Sequence, residues 1–161
     1  FDFRQKLSIL LEQSYKKTPF YEEINQIIHD LVLFDTPSLS LYTTNMIEMI
    51  ARKLGITTEF CKLSTSGFIS DSKKGNLILD ICDFFNTQTY ISPLGSYEYM
   101  EASKNLFTEK NISILYQHYQ HPVYPQLSEP FVPYIGIIDL LYNNGFQNSL
   151  EIIRKGRNYE N

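Results

Sequence analysis

Gly55-Ile56-Thr57-Thr58-Glu59-Phe60-Cys61-Lys62-Leu63-Ser64-Thr65-Ser66-Gly67 is where the hydrophobic period of this chain changes. Before it, apolar residues recur at helical spacing. After it, short β-favouring runs alternate with helical patterns. The reading predicts strands over 57–63, 88–92 and 112–117. A helical pattern (Leu77, Ile78, Ile81, Phe84, Phe85) separates the first two, and a helical or irregular stretch to Phe107 separates the last two. Strands alternating with crossovers of this length build parallel sheets covered by helices, with right-handed connections. The expected fold class is α/β: helix-rich, with a small parallel sheet of about three strands flanked by helices, and an N-terminal helical part.

Working outward, the N-terminal part reads as three helices. Leu7, Leu10, Leu11 and Tyr15 share one stripe. Thr18 then Pro19 reads as an N-cap and first helical position, with Glu22 and Glu23 near the positive helix end. Phe20, Ile24, Ile27, Ile28 and Leu31 form that helix's apolar face, and Pro37 breaks the chain. The third helix covers 41–54, with Ile47, Ile50, Ala51 and Leu54 on one face and Gly55 as its stop. On the C-terminal side, four prolines between His118 and Pro133 exclude a helix or central strand. Two closing helices are expected over 135–143 and 147–154, hinged at Asn143-Asn144-Gly145.

The 161 residues suit a single α/β domain, since one core usually serves ~100–200 residues. The chain opens on Phe1 and is expected to be the C-terminal portion of a longer protein. A net charge of −4 disfavours a phosphate-tracking surface; only Lys73-Lys74 and the tail from Arg154 to Arg157 are locally basic, so a nucleic-acid partner is not expected from this part alone. No apolar run reaches the ~18 residues of a membrane span, and no signal peptide is visible, so a cytoplasmic protein without a membrane partner is expected. Cys61 and Cys82 sit in apolar stretches and read as reduced core residues. No motif calls for a cofactor.

In open parallel sheets, ligands bind beyond the carboxyl ends of the strands. Here those ends are 64–67, 92–96 and 118–126, expected along one sheet edge. Their hydroxyls and glycines read either as plain turns or as a phosphate or carboxylate cradle. His118 and His121 lack the third ligand that a metal would need. His121, backed by the rigid Pro122, suits a general acid or base, or a histidine bonded to a loop carbonyl. His29, among Ile27, Ile28 and Leu31, reads as structural. Asp139 lies within the apolar run from Ile135 to Leu141. A buried carboxylate needs partners, expected from the 118–126 loop or from tyrosines. It either ties down that loop or orients His121 or a substrate amine or hydroxyl. Asp139→Asn is expected to keep the shape and most of the hydrogen bonds. No nucleophile elbow is present.

Three blocks carry a resemblance. They are Tyr116-Gln117-His118-Tyr119-Gln120-His121-Pro122-Val123-Tyr124-Pro125-Gln126 with Phe131-Val132-Pro133; Ile138-Asp139-Leu140-Leu141-Tyr142-Asn143-Asn144-Gly145; and Tyr90-Ile91-Ser92-Pro93-Leu94-Gly95 with Tyr99. With Tyr15 and Pro19-Phe20, they resemble the WbqC-like protein family over nearly all of this chain. The resemblance implies a further N-terminal block, with a Gln-Pro-rich strand and an Asn-x-Arg element, which this chain does not carry. It also implies a place in gene clusters for bacterial surface polysaccharides such as O-antigen.

Two functions compete. One is a transferase moving an acyl or aminoacyl group onto an amino sugar nucleotide. It would use His121 and Asp139 as catalytic residues, and Ser64, Thr65, Ser92, Gly95, Tyr99, Tyr124, Gln126 and Asn143 as substrate-binding residues. The other is a non-catalytic ligand-binding or scaffold protein of the same pathway, docking through its Tyr- and Pro-rich loop. Convergence of His121, Tyr124, Gln126 and Asp139 on a concave, partly buried pocket, rather than a spread over a convex face, is the geometric feature that distinguishes the first.

Overall fold

The computed structural model describes residues 3–160. Its elements are α1 (Phe3–Tyr15), α2 (Tyr21–Val32), α3 (Leu39–Lys53), α4 (Lys74–Phe84), β1 (Thr89–Pro93), α5 (Tyr97–Glu101), α6 (Lys104–Glu109), β2 (Ser113–Gln117), α7 (Ile137–Lys155) and β3 (Tyr159–Glu160). This is a helix-rich α/β chain with a small mixed sheet. It divides into two compact units, one formed by Phe1–Glu59 with His121–Lys155, the other by Phe60–Gln120 with Gly156–Asn161. Among the described residues no helix is long and apolar enough to cross a membrane.

The first unit is helical. α2 packs against α1, α3 and α7, and its Ile24, Ile28, Leu31 and Val32 are buried together with Ile50, Leu54, Leu141 and Tyr142. Each such aliphatic side chain contributes ~1.5–3 kcal/mol of burial. On α1 the inward stripe is Leu7, Leu11 and Tyr15, at i, i+4 and i+8; Leu10 is left exposed. On α3, Ile50 and Ala51 turn inward as expected, while Ile47 is exposed. That helix starts at Leu39, earlier than its hydrophobic pattern, because Ser38 caps it by accepting the Leu41 N–H. Gly55, at φ +80, ends it.

The expected N-cap at Thr18 is corrected. The Thr18 hydroxyl turns back to donate to the Tyr15 carbonyl at 2.6 Å, and α2 begins at Tyr21 with no side-chain cap. The Phe20 N–H, which a cap would have satisfied, donates to the Tyr142 carbonyl at 3.2 Å.

In the second unit β1 and β2 pair in parallel, with Thr89 opposite Ser113 and Pro93 opposite Gln117. The segment between them holds α5 and α6. The strand expected over 57–63 does not form: the chain is irregular there and enters a 3-10 turn at Leu63–Thr65. Glu59, Phe60, Cys61 and Lys62 are all exposed, and β-favouring residues make a strand only on a half-buried pleated surface. The third strand is β3, and it is antiparallel to β2. The tail reaches it by close backbone approach: Gln120 N–H donates to the Gly156 carbonyl at 2.9 Å, and His118 N–H to the Asn158 carbonyl at 2.8 Å. A Cβ on Gly156 would stand 2.5 Å from the Gln120 carbonyl oxygen. Met100, Phe107, Ile112, Ile114 and Tyr116 form this unit's core with Leu79 and Cys82. Cys82 is thus a core thiol, whereas Cys61, expected to be buried, is exposed. The buried face of α4 is Gly75, Leu79 and Cys82, and Phe84 and Phe85 are about half exposed.

α7 is broken at Gly145, with φ 69° and ψ 173°, where the hinge was expected. Glu23 accepts the Phe146 N–H at 3.4 Å at the start of the second half. A Cβ at Gly145 would lie 2.7 Å from the Phe20 ring and 3.3 Å from a Glu23 carboxylate oxygen; at Gly55 it would meet nothing within 4 Å. Gly55→Ala therefore carries only left-handed backbone strain, about 1–2 kcal/mol. Gly145→Ala adds overpacking of ~1–3 kcal/mol. Denaturant unfolding of the two variants should show Gly145→Ala as the clearly more destabilised; equal losses would contradict this packing.

Candidate functional site

Asp139 lies in the first turn of α7 and is buried, where the positive end of the helix favours a carboxylate. Its Oδ2 accepts the Tyr124 hydroxyl at 2.9 Å and the Gln126 amide at 3.0 Å. Its Oδ1 accepts the Asn143 side-chain amide at 3.3 Å, and the Tyr15 hydroxyl also hydrogen-bonds this carboxylate. All four partners donate. An Asn side chain would keep its carbonyl oxygen for Tyr124 and Gln126, as expected, while its NH2, in place of Oδ1, would face the donating Asn143 amide.

The loop 121–136 is braced against this point. The Gln126 side chain acts like a backbone neighbour to Val132: its Oε1 accepts the Val132 N–H at 2.8 Å and its Nε2 donates to the Val132 carbonyl at 2.9 Å. One N–H is left for Asp139. The Asn144 amide donates to the Pro125 carbonyl at 3.4 Å and to the Leu140 carbonyl at 3.2 Å. Tyr142 stacks on Tyr15, with ring centroids 4.6 Å apart and planes 2° apart, and its hydroxyl donates to Asn25 Oδ1 at 2.9 Å. Asp139, Tyr142, Asn143, Asn144 and Gly145 thus each have a distinct structural task.

His121 sits beside this brace. Its Nδ1 is 2.9 Å from the Pro122 carbonyl, which only accepts, and its Nε2 is 3.2 Å from the Tyr134 N–H, which only donates. Those partners assign the neutral tautomer with the proton on Nδ1 and the lone pair on Nε2. The ring is flanked by Tyr124, Phe131 and Tyr134, the last edge-on at 4.5 Å. Tyr124 meets Phe131 edge-to-face at 5.2 Å. His121, Tyr124, Gln126, Asp139 and Asn143 are therefore brought together in the first unit. The bond to the Pro122 carbonyl is also the loop-carbonyl contact weighed as the structural alternative.

The remaining candidates belong to the second unit. β1 and β2 run parallel, so Ser92–Ser96 and His118 leave the same edge of the sheet; 64–67 follows no strand and does not share that arrangement. Ser92 and Ser96 are buried, 2.5 Å apart, and Ser96 donates to the Pro93 carbonyl, so Ser92 must be the donor between them. Gly95 and Tyr99 are exposed. Ser64 and Thr65 are exposed too, Thr65 donating to the Lys62 carbonyl at 3.1 Å. His118 faces Glu160 at 3.6 Å. His29 sits on the exposed side of α2 beside Asp30.

Tyr15 was not among the residues the sequence marked for the site. Its only signal was membership of the Tyr15–Pro19–Phe20 block, because nothing local shows that a helix-end tyrosine reaches a carboxylate so far along the chain.

Fold and site define a helix-rich α/β protein in which a buried carboxylate braces a proline-rich loop beside a histidine of fixed tautomer. The chain belongs to the WbqC-like protein family, whose match covers residues 1–151. No curated protein and no solved structure matches it.

Two outcomes follow. Asp139→Asn sets an NH2 against the Asn143 amide and removes the charge the other donors share, which should lower unfolding free energy by ~1.5–3 kcal/mol; a change within about 0.5 kcal/mol would contradict the donor-only shell. The second concerns alkaline pH. Burial, then the Asp139 charge and hydrogen bond, pushes the Tyr15 phenol up to about 12. Burial, then Tyr21 and Glu12, pushes Tyr142 up to about 12. A phenol raised above its ordinary value of 10.0 adds stability that is fully present below pH 10 and lost as pH rises through about 12. Tyrosinate absorbance should show a late-titrating class that shrinks in Tyr15→Phe. A titration identical to wild type apart from one ordinary phenol would contradict it.

Proposed function

We propose that this chain is a transferase of bacterial surface-polysaccharide (O-antigen) biosynthesis. It acts in the cytoplasm, moving an acyl or aminoacyl group onto the amine of a nucleotide-linked sugar. The observation that carries the proposal is the His121 tautomer: the Pro122 carbonyl holds the proton on Nδ1, so Nε2, which accepts the Tyr134 N–H, carries the lone pair that a reacting amine would use. In that step the sugar nitrogen attacks the donor's carbonyl carbon and gives its proton to Nε2. As the bond to the donor's leaving group breaks, the proton passes to that group. Asp139 acts as a positioning residue, holding Tyr124 and Gln126 and through them the loop that carries His121. Ser64, Thr65, Gly95 and Tyr99, exposed in the second unit, are the substrate-binding residues proposed there; Ser92, buried against Ser96, is not one of them.

One observation favours the non-catalytic reading. The Asp139 oxygens and the Ser92 and Ser96 hydroxyls are all engaged within the fold, as a docking or scaffold protein would have them.

Thermal-shift screening against sugar nucleotides, acyl-CoAs and aminoacyl donors tests the transferase. A ligand at 100 times its Kd adds ~2.7 kcal/mol. With the donor and acceptor so found, His121→Gln should cut turnover by roughly 10²–10⁴-fold with little change in stability. Binding without group transfer, or His121→Gln at wild-type turnover, would favour the scaffold.

A further inference from the structure

The loop 121–136 is closed at two places of different chemistry. At one, Gln126 bridges Val132 and Asp139 through amide bonds that do not titrate near neutral pH. At the other, the Tyr134 N–H rests on His121 Nε2, and an imidazole can lose that acceptor to a proton. Tyr134 is 69% exposed and sits at φ 61°, in the left-handed region that non-glycine residues seldom adopt. Its neighbours Val132 and Ile135 are about half exposed. The imidazole contact and the Tyr134 and Phe131 rings hold this limb against His121.

Building on the transferase reading for what it controls, we propose that the Tyr134–His121 contact is an autoinhibitory latch. The Tyr134 amide occupies the lone pair that the reaction needs; an incoming substrate amine displaces it, whereas protonation of His121 opens the same contact but leaves no base. The asymmetry of the imidazole makes the response selective. Protonated His121 keeps its Nδ1–H on the Pro122 carbonyl, but carries an N–H at Nε2 facing the Tyr134 N–H, so only the Tyr134 side opens. The groups facing the ring are Tyr124 on its own limb, Tyr134 and Phe131 on the returning limb, and Asp139 on α7, reached through the Tyr124 hydroxyl. The Asp139 oxygens are held by Tyr124, Gln126, Asn143 and Tyr15, so the loop base stays anchored while the limb lifts. The closed state requires neutral His121; it is present at the alkaline end and lost as pH falls.

The test needs no substrate, so it stands apart from the fate of the transferase reading. Amide hydrogen exchange at Tyr134 and the ring nitrogen shifts of His121 are followed by NMR from pH 8 to 5, the range in which histidines usually titrate. The protection factor at Tyr134 should fall by roughly five- to tenfold, the worth of one neutral hydrogen bond. That fall should track the His121 ring, while Val132 keeps its protection. In His121→Gln, whose side-chain oxygen accepts without titrating, protection should persist across the range. His121→Phe should leave Tyr134 unprotected throughout while Val132 stays protected. Unchanged Tyr134 protection as His121 protonates, or the same pH-dependent loss in His121→Gln, would overturn the latch.

Discussion

A carboxylate buried in an apolar helix can remain there only if its lone pairs are satisfied, and Asp139 is satisfied entirely by donors. Tyr15 reaches it from α1, Tyr124 and Gln126 from the proline-rich loop, and Asn143 from the next turn of its own helix. These partners span three separate stretches of chain. One acceptor thereby couples the packing of α1 and α7 to the path of a loop with no regular structure. Hydrogen bonds to a charged group are worth more than neutral ones, ~1.5–3 kcal/mol each, so the position is intolerant of change.

The loop depends on that anchor because its prolines cannot donate to a sheet or helix. Its backbone is ordered instead by side chains: Gln126 supplies Val132 with the donor and acceptor that a neighbouring strand would have offered, and Asn144 reaches the Pro125 carbonyl. Tyr124 is buried with its hydroxyl on Asp139, and its ring meets Phe131 edge-to-face and His121 at a tilt. The histidine is thus aimed by its Pro122 neighbour on one nitrogen and by the loop on the other. In the transferase proposed above, the brace would be the part that makes the proton-carrying group rigid.

Much of this was legible in the sequence. The three N-terminal helices, the parallel pairing of 88–92 with 112–117, the break at Gly145 and the burial of Asp139 all follow from period, glycine and apolar context, and the structure agrees. The failures have physical causes. The 57–63 segment has the residue types of a strand but is largely exposed, and β propensity is a preference for a half-buried surface that is absent there. β3 is two residues long and gains its place from the backbone approach at Gly156, which leaves no periodic trace. Thr18 lost its expected cap role to a local hydrogen bond with Tyr15. At the site, the residue types were readable but not their directions. Ser92 and Ser96 look like ligand contacts in sequence, yet turn inward to each other; Tyr15 looks like a helix-end aromatic, yet reaches Asp139.

The central claim is that Asp139 and the loop hold each other energetically and are not merely adjacent. A double-mutant cycle with Tyr124→Phe and Asp139→Ala, measured by denaturant unfolding, tests it most directly. Tyr124→Phe removes only the hydroxyl, so the cycle isolates that bond. The account predicts a coupling energy of about 1–3 kcal/mol. Single-variant losses that add to the double-variant loss within ~0.3–0.5 kcal/mol would contradict it.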